Sequence, residues 1–185
     1  MKALLTTSCA LALASLSANA LAVEGGTGFV RAAAGHSTVD VDVDGFGSDK
    51  DDDRTLQLGG GYYFTPNVAI EGFYANLYDY SEDGYSAKLT GLGLGVVARK
   101  NFGADNNGFY IAGRLGAFRS KGDASATGVG SASGNSVKPY FGVGIGYDFS
   151  SNFGLGLDYT SFRSDFDDEI SVDARTLTFN AELRF

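Results

Sequence analysis

The chain has 185 residues, a formal net charge of −8, one histidine and one cysteine. Its length suits a single domain, and a mean hydropathy of −0.04 with no long apolar run after residue 22 excludes helical membrane spans. The acidic balance argues against nucleic acid as a partner, and a lone cysteine and histidine cannot form a zinc or redox-metal cluster.

Residues 1–22 have the layout of a cleavable signal peptide. Met1-Lys2 is a short positive start, residues 3–16 are rich in Ala and Leu, and a small-x-small site ends at Ala22. A membrane anchor is the alternative, but the apolar segment is shorter than the roughly 20 residues of a spanning helix. We predict cleavage after Ala22, which removes Cys9 and leaves residues 23–185 as the mature domain.

The rest of the chain consists of short alternating segments separated by Gly, Asn, Asp and Ser, a pattern typical of an all-β protein. In each segment one face is apolar, while the other is mostly glycine with scattered charges. The eight predicted strands span residues 26–35, 54–64, 68–77, 86–100, 108–119, 137–149, 153–162 and 177–185.

The predicted connections alternate in length. Short turns lie near Pro66-Asn67, Asn106-Asn107 and Asn152, whereas the longer links are residues 36–53, 78–85, 120–136 and 164–173. Outer-membrane barrels combine short periplasmic turns with longer extracellular loops. We therefore predict a closed eight-stranded antiparallel up-and-down transmembrane β-barrel. The alternative is a secreted soluble barrel whose apolar face points inward and binds a ligand.

One hairpin pattern occurs twice. Residues 61–67 are echoed by residues 146–152, an offset of 85 (152 − 67), and each copy carries two outward-facing aromatic residues before an Asn-bearing turn. We interpret both copies as hairpins whose outward aromatics lie at a membrane interface.

The glycine-rich face suits the narrow interior of an eight-stranded barrel, which has room only for side chains. Charged residues on that face would meet across the lumen, where arginines can pair with carboxylates. The predicted lumen charge network comprises Arg31, Glu71, Arg114, Asp158 and Glu182.

The final strand places a row of apolar residues on one face and ends on an aromatic one. This row resembles the C-terminal signal that the barrel-assembly machinery recognises in bacterial outer-membrane proteins. The proposed assembly signal comprises Phe179, Ala181, Leu183 and Phe185.

With its cleavable signal, eight strands, terminal Phe and charged interior, the mature chain resembles the small outer-membrane barrels of the OmpA/OmpX type. The resemblance implies location in the outer membrane of a Gram-negative bacterium, with membrane lipid and lipopolysaccharide as partners. It also implies passage through periplasmic chaperones and the barrel-assembly machinery. The roles implied are envelope integrity, surface interaction and adhesion.

Three functions follow from this pattern. The first is a structural or adhesive role through acidic extracellular loops, with an extracellular ligand bound at residues 36–53 and 120–136. The second is a narrow or gated pore for ions or small solutes, because glycines on the inner face leave space there. The third is that of the secreted soluble binding protein.

An acidic segment in the first long link offers one candidate metal site. Asp40-x-Asp42-x-Asp44-Gly45, followed by Asp51, approximates a calcium-loop pattern. The plainer interpretation is a solvated acidic loop between strands, and no other cofactor is predicted.

The sequence predicts no enzymatic activity. The only histidine, His36, is followed by Ser37, but adjacent residues of a strand point to opposite faces. A hydrolase needs its base and nucleophile in hydrogen-bond contact.

Overall fold

The computed structural model describes residues 25–43, 47–82, 85–103, 107–126, 130–167 and 170–185. The predicted signal peptide therefore lies outside the described residues. Eight strands are present: β1 (Thr27–Val43), β2 (Gly47–Thr65), β3 (Val68–Glu82), β4 (Tyr85–Asn101), β5 (Gly108–Ala126), β6 (Gly130–Asp148), β7 (Phe153–Asp167) and β8 (Ile170–Arg184).

The strands form a closed barrel in which each pairs antiparallel with its chain neighbours. β8 returns to β1, and the ends are fixed by reciprocal hydrogen bonds of 2.9 Å between the backbones of Gly28 and Phe185. The predicted eight-stranded up-and-down barrel is confirmed. No described segment is a helix long and apolar enough to cross a membrane.

The register fixes the tilt of the strands. A path of directly paired residues that starts at Phe29 returns to β1 at Val39, a displacement of ten residues (39 − 29). This displacement in eight strands corresponds to a tilt of about 40° and a bore wide enough only for side chains. The path passes through Gly61, Glu71, Gly95, Gly116, Tyr140, Phe162 and Ala174.

The long links predicted from sequence were wrong in extent, because they are mostly strand. Pairing of β1 with β2 continues to Val43 and Gly47, and pairing of β5 with β6 continues to Ala126 and Gly130. The predicted ligand loops, residues 36–53 and 120–136, are therefore largely hairpin arms. Inward and outward residues still alternate in these arms, but some inward residues are small and polar, such as the buried Ser37. The apolar pattern that predicts a strand therefore ends before the strand pairing does.

Beyond the apolar part of the wall, the barrel separates into two four-stranded sheets. The β2–β3 ladder stops at Leu56 and Asn76, and the β6–β7 ladder stops at Tyr140 and Phe162, next to Pro139. The other neighbouring strands stay paired to their hairpin ends. One sheet therefore contains β7, β8, β1 and β2, the other contains β3, β4, β5 and β6, and two seams lie between them.

The opposite rim, called here the short-turn rim, carries both described chain ends and the tight turns. Thr65 Oγ1 accepts hydrogen bonds from the backbone N–H groups of Asn67 and Val68 at 3.2 and 3.0 Å. The Asn67 side chain donates to the carbonyl of Arg99 at 2.8 Å. This side-chain bonding satisfies backbone groups that the turn removes from the ladder.

The second copy of the hairpin repeat is built in the same way. Ser150 Oγ accepts from the N–H groups of Asn152 and Phe153 at 3.3 and 3.1 Å. Asn152 donates to the carbonyl of Arg184 at 3.0 Å. Arg99 and Arg184 are themselves 85 residues apart (184 − 99), so the repeat extends to the following strand.

Candidate functional site

The outer face of the barrel is an apolar band. Leu94 and Ile145 are 62% and 50% exposed on it. An exposed apolar surface that surrounds a closed barrel is expected to meet lipid. Aromatic side chains are concentrated in the band near the short-turn rim: Tyr62, Phe64, Phe102, Phe109, Tyr147, Phe149 and Phe185.

Inside the barrel, four rings in mutual contact form what we call the aromatic cluster: Phe73, Phe118, Tyr140 and Phe162. Ring centroids of Phe118 and Phe162 are 4.6 Å apart, and those of Phe73 and Tyr140 are 5.2 Å apart. All four rings are buried, and they pack with apolar residues that extend away from the short-turn rim. These neighbours are Val39, Ala75, Leu77, Leu89 and Ala174.

The lumenal glycines make room for these rings. A Cβ atom on Gly91 would collide with the ring of Phe118, and one on Gly93 would collide with the ring of Phe73. A Cβ atom on Gly116 would lie 2.6 Å from Cε1 of Tyr140. The expectation that glycine leaves open space along the lumen is therefore corrected at these positions, because rings from facing strands fill it.

Four residues of the predicted charge network meet at mid-height and form the central ion cluster: Arg31, Glu71, Arg114 and Asp158. Arg31 Nη1 lies 3.6 Å from Glu71 Oε2 and 4.0 Å from Asp158 Oδ2. Arg114 Nη1 lies 3.1 Å from Asp158 Oδ2, and its Nε lies 3.8 Å from Glu71 Oε2. Two arginines thus neutralise two carboxylates in the interior.

Neutral side chains connect this cluster to its surroundings. Tyr140 Oη donates to Glu71 Oε1 at 2.9 Å, so the aromatic cluster and the central ion cluster share a residue. Asn180 Nδ2 donates to Asp158 Oδ2 at 2.6 Å. Buried charges tolerate burial only when such hydrogen bonds accompany the ion pairs.

The fifth predicted residue, Glu182, pairs elsewhere. It lies 3.1 Å from Arg99 Nη1 and 2.6 Å from Arg184 Nε. Asp148 binds both arginines, with a 2.8 Å contact to Arg184 Nη2. We call Arg99, Asp148, Glu182 and Arg184 the basal ion cluster, because it closes the lumen beside the short-turn rim.

Aromatic and amide groups complete this layer. The guanidinium of Arg99 lies 3.5 Å from the ring centroid of Tyr110, a cation–π contact. Tyr63 Oη donates to Glu182 at 3.2 Å, and Asn101 Nδ2 donates to Asp148 at 2.5 Å. The sequence prediction omitted Arg99, Asp148 and Arg184 from the network. Their inward parity on β4, β6 and β8 is the signal that would have identified them.

Outside the barrel, a ring of basic side chains follows the apolar band on the side away from the short-turn rim. We call it the basic collar: His36, Arg54, Lys88, Arg119, Arg163 and Arg175, all outward-facing and exposed. Lys88 pairs with Asp79 at 2.9 Å, and Arg163 pairs with Asp173 at 3.0 Å. The net negative charge of the chain does not indicate such a ring. It is found by following the outward-facing positions of the strands beyond the apolar residues.

The candidate calcium residues are only partly described. Asp40 lies 3.8 Å from Arg175 Nη1. Asp44 and the side chains of Asp42 and Asp51 lie outside the described part of the chain, so the calcium site stays a prediction. Within the described residues, no three His, Cys, Asp or Glu side chains are grouped so that they could hold a metal ion.

His36 and Ser37 occupy opposite faces of β1, as their adjacency predicts. The imidazole is exposed on the outer face, whereas Ser37 is fully buried inside. The base and nucleophile of a hydrolase would have to share one face.

A closed barrel with an apolar outer band and a charged, hydrogen-bonded interior defines a transmembrane β-barrel. Residues 8–185 match the model of the outer membrane protein beta-barrel domain, and the chain belongs to this family. The family points to the Gram-negative outer membrane. No protein with curated functional information matches the chain.

Several solved structures share the fold. The attachment invasion locus protein Ail of Yersinia pestis is 24% identical with a TM-score of 0.57, over 87% of this chain and 99% of Ail. Neisserial surface protein A is 17% identical with a TM-score of 0.63, over 85% and 97%. OprG of Pseudomonas aeruginosa is 16% identical with a TM-score of 0.59, over 90% and 99%.

Proposed function

We propose that this protein is a closed, non-conducting, non-enzymatic barrel that stabilises the outer membrane and presents an interaction surface outside the cell. In this proposal residues 1–22 direct export and are cleaved. Periplasmic chaperones and the barrel-assembly machinery then deliver the mature chain to the membrane. The filled lumen is the observation that carries the proposal.

Three consecutive layers occupy the lumen. The aromatic cluster fills the part away from the short-turn rim, the central ion cluster lies at mid-height, and the basal ion cluster lies beside the rim. Interior charges that pair with one another fill a narrow barrel, whereas an aqueous channel is lined by solvated polar groups. This arrangement favours a structural barrel over the alternative of a narrow or gated pore.

The far side of the barrel supports the interaction surface. Hairpin arms extend beyond the apolar band, and strand pairing stops at both seams. Across the β2–β3 seam, Asp53 accepts a hydrogen bond from the N–H of Asp79, so the β6–β7 seam is the candidate edge for pairing with an added strand. Ail, which shares the fold, has been solved in complex with the heparin analogue sucrose octasulfate. A surface ligand held by the arms of residues 36–53 and 120–136 fits this arrangement.

Planar-bilayer recording tests the closed lumen. We expect the purified, refolded protein to insert without steady single-channel conductance. Insertion is verified independently by protease protection of the reconstituted vesicles. A reproducible unitary conductance from the wild-type protein would reject the closed barrel and favour the pore.

Whole-cell binding tests the surface role. Shortening the β1–β2 hairpin by removing residues 38–52 should reduce cell attachment to host surfaces, while the amount of barrel in the outer membrane stays constant. A second variant removes residues 122–134 from the β5–β6 hairpin, which separates the contributions of the two arms. Unchanged attachment in both variants would reject an adhesive role.

The basic collar supports lipopolysaccharide as a partner. Arg54 and Arg119 face outward where the apolar band ends, at the height expected for the phosphates of the outer leaflet. Arginine binds phosphate in a bidentate manner, which suits a densely phosphorylated surface. Replacing both arginines by Gln should lower the lipopolysaccharide that copurifies with the barrel, and an unchanged amount would argue against the collar.

A further inference from the structure

A groove crosses the outer face of β3, β4, β5 and β6 close to the short-turn rim. Its volume is about 630 Å³, within the range of small-molecule sites. Its floor is low because Ala98 and Gly113, which are direct partners in the β4–β5 register, are small. Taller apolar side chains border it: Val68, Ile111, Val143 and Ile145.

The floor is unfilled by the protein itself. A Cβ atom on Gly113 would meet no heavy atom within 4 Å, in contrast to the lumenal Gly91 and Gly93, whose Cβ positions are taken by rings. Gly113 therefore has no packing role toward the lumen. Its small size opens the groove on the lipid-facing side, and the flanking Ile111 and Val143 set the width of the groove.

A cation lies at the end of the groove nearest the rim. Lys100 lines the groove, faces outward and is exposed. It is the only outward-facing Lys or Arg near the short-turn rim among the described residues, because Arg99 and Arg184 point into the lumen. Its long side chain can reach the membrane interface while its stem stays along the apolar wall.

We propose that this groove is a specific binding site for one phospholipid of the periplasmic leaflet. An acyl chain lies over Ala98 and Gly113 between the apolar walls, and the headgroup phosphate pairs with the Lys100 ammonium. The groove is apolar along its length and ends at one cation at the depth of the membrane interface, which complements the acyl chain and headgroup of an anionic lipid. A second copy of the chain would place two Lys100 side chains near each other, so the charge favours lipid over a dimer.

Native mass spectrometry of the detergent-solubilised barrel, titrated with phosphatidylglycerol, tests the site. The wild-type protein should retain one lipid in preference to further ones. Gly113→Leu fills the floor and should abolish this first binding event. Gly72→Leu is the matched control, since Gly72 also faces outward, has only one atom within 4 Å of its Cβ position, at 3.8 Å, and lies outside the groove.

The charge is tested separately. Lys100→Gln should weaken phosphatidylglycerol binding about fivefold, the value expected for one lysine beside lipid phosphate. Diacylglycerol, which has no phosphate, should bind Lys100→Gln and wild type equally. Lys121→Gln, which removes an exposed cation far from the groove and outside the basic collar, should have no effect.

Three outcomes would overturn the site. The first is equal lipid retention by Gly113→Leu and Gly72→Leu. The second is wild-type affinity of Lys100→Gln for phosphatidylglycerol. The third is a dimer mass in the wild type that disappears in Gly113→Leu, which would assign the groove to a second copy of the chain. Unheated gel mobility verifies that each variant is folded. If Gly113→Leu does not fold, the Lys100→Gln comparison decides alone.

Discussion

Glycine and aromatic residues act as pairs in this lumen. Each glycine on an inward position of β4 lies under a ring that comes from another strand, so the absence of one side chain is compensated by the size of another. Gly93 illustrates this, because the atoms nearest its Cβ position all belong to the ring of Phe73. The ring cannot retreat, since Phe118, Tyr140 and Phe162 surround it.

Gly93→Ala should therefore destabilise the barrel by about 1–3 kcal/mol, the usual result of overpacking a filled interior. The matched control is Gly72→Ala, whose Cβ would lie 3.8 Å from the nearest atom, the carbonyl oxygen of Gly93. Urea unfolding in lipid vesicles, followed by far-UV circular dichroism because the chain has no Trp, measures both. Equal stability of the two variants would mean that the ring is free to move.

Asp148 holds two buried arginines, and its removal should be costly. Asp148→Ala leaves Arg99 and Arg184 with one carboxylate, Glu182, between them. Loss of one partner from a buried ion cluster typically destabilises by about 3–5 kcal/mol. We expect a loss of this size in the same urea assay.

The control for this prediction is an ion pair outside the lumen. Asp79→Ala breaks the contact with Lys88 in the solvent-exposed collar, where ion pairs contribute little. Its unfolding midpoint should match that of the wild type. If Asp148→Ala behaved in the same way, the basal ion cluster would contribute nothing to stability.

At the scale of elements, the sequence predicts which strands exist and which face of each points outward. The start of β3 at Val68 and of β7 at Phe153 agrees with the pattern, because side-chain-capped turns mark both. The strands were predicted to end too early on the side away from the short-turn rim. The outward residues there are polar, so the alternation of apolar residues with glycine is lost. Pairing continues there because the ladder depends on backbone groups.

The two halves of β6 provide a test of where the membrane ends. Ile145→Arg places a charge in the apolar band and should destabilise the barrel by about 2–4 kcal/mol. Asn135→Arg places the same charge on the same face of the same strand, beyond the band, and should be neutral. Both variants are compared by urea unfolding in vesicles, and a harmful Asn135→Arg would place the band farther along β6 than we do.

At the scale of the whole molecule, the sequence predicts the closed barrel and which face of its wall is apolar. It does not predict whether the lumen is filled. Strand parity places Phe73, Tyr140 and the glycines inside, yet whether rings or water occupy the space depends on register across four strands. That register carries a displacement of ten residues around the barrel, which local patterns do not encode. The partners of Glu182 were missed for the same reason.

A substitution in the last strand can distinguish the folding of the barrel from its assembly in the cell. Phe185 exchanges backbone hydrogen bonds with Gly28, while its ring is exposed at the short-turn rim. Phe185→Ala keeps those backbone bonds, so the variant should refold in detergent and show the gel-mobility shift of the wild type between unheated and heated samples.

In cells the same variant should accumulate in the outer membrane at a severalfold lower level, if the terminal ring is what the assembly machinery recognises. Phe149→Ala is the control, because it removes another exposed ring from the same rim without changing β8. Quantifying both variants in outer-membrane fractions measures the difference. A normal level of Phe185→Ala would show that the ring is only an interfacial anchor, and that the recognised feature lies elsewhere in the row Phe179, Ala181 and Leu183.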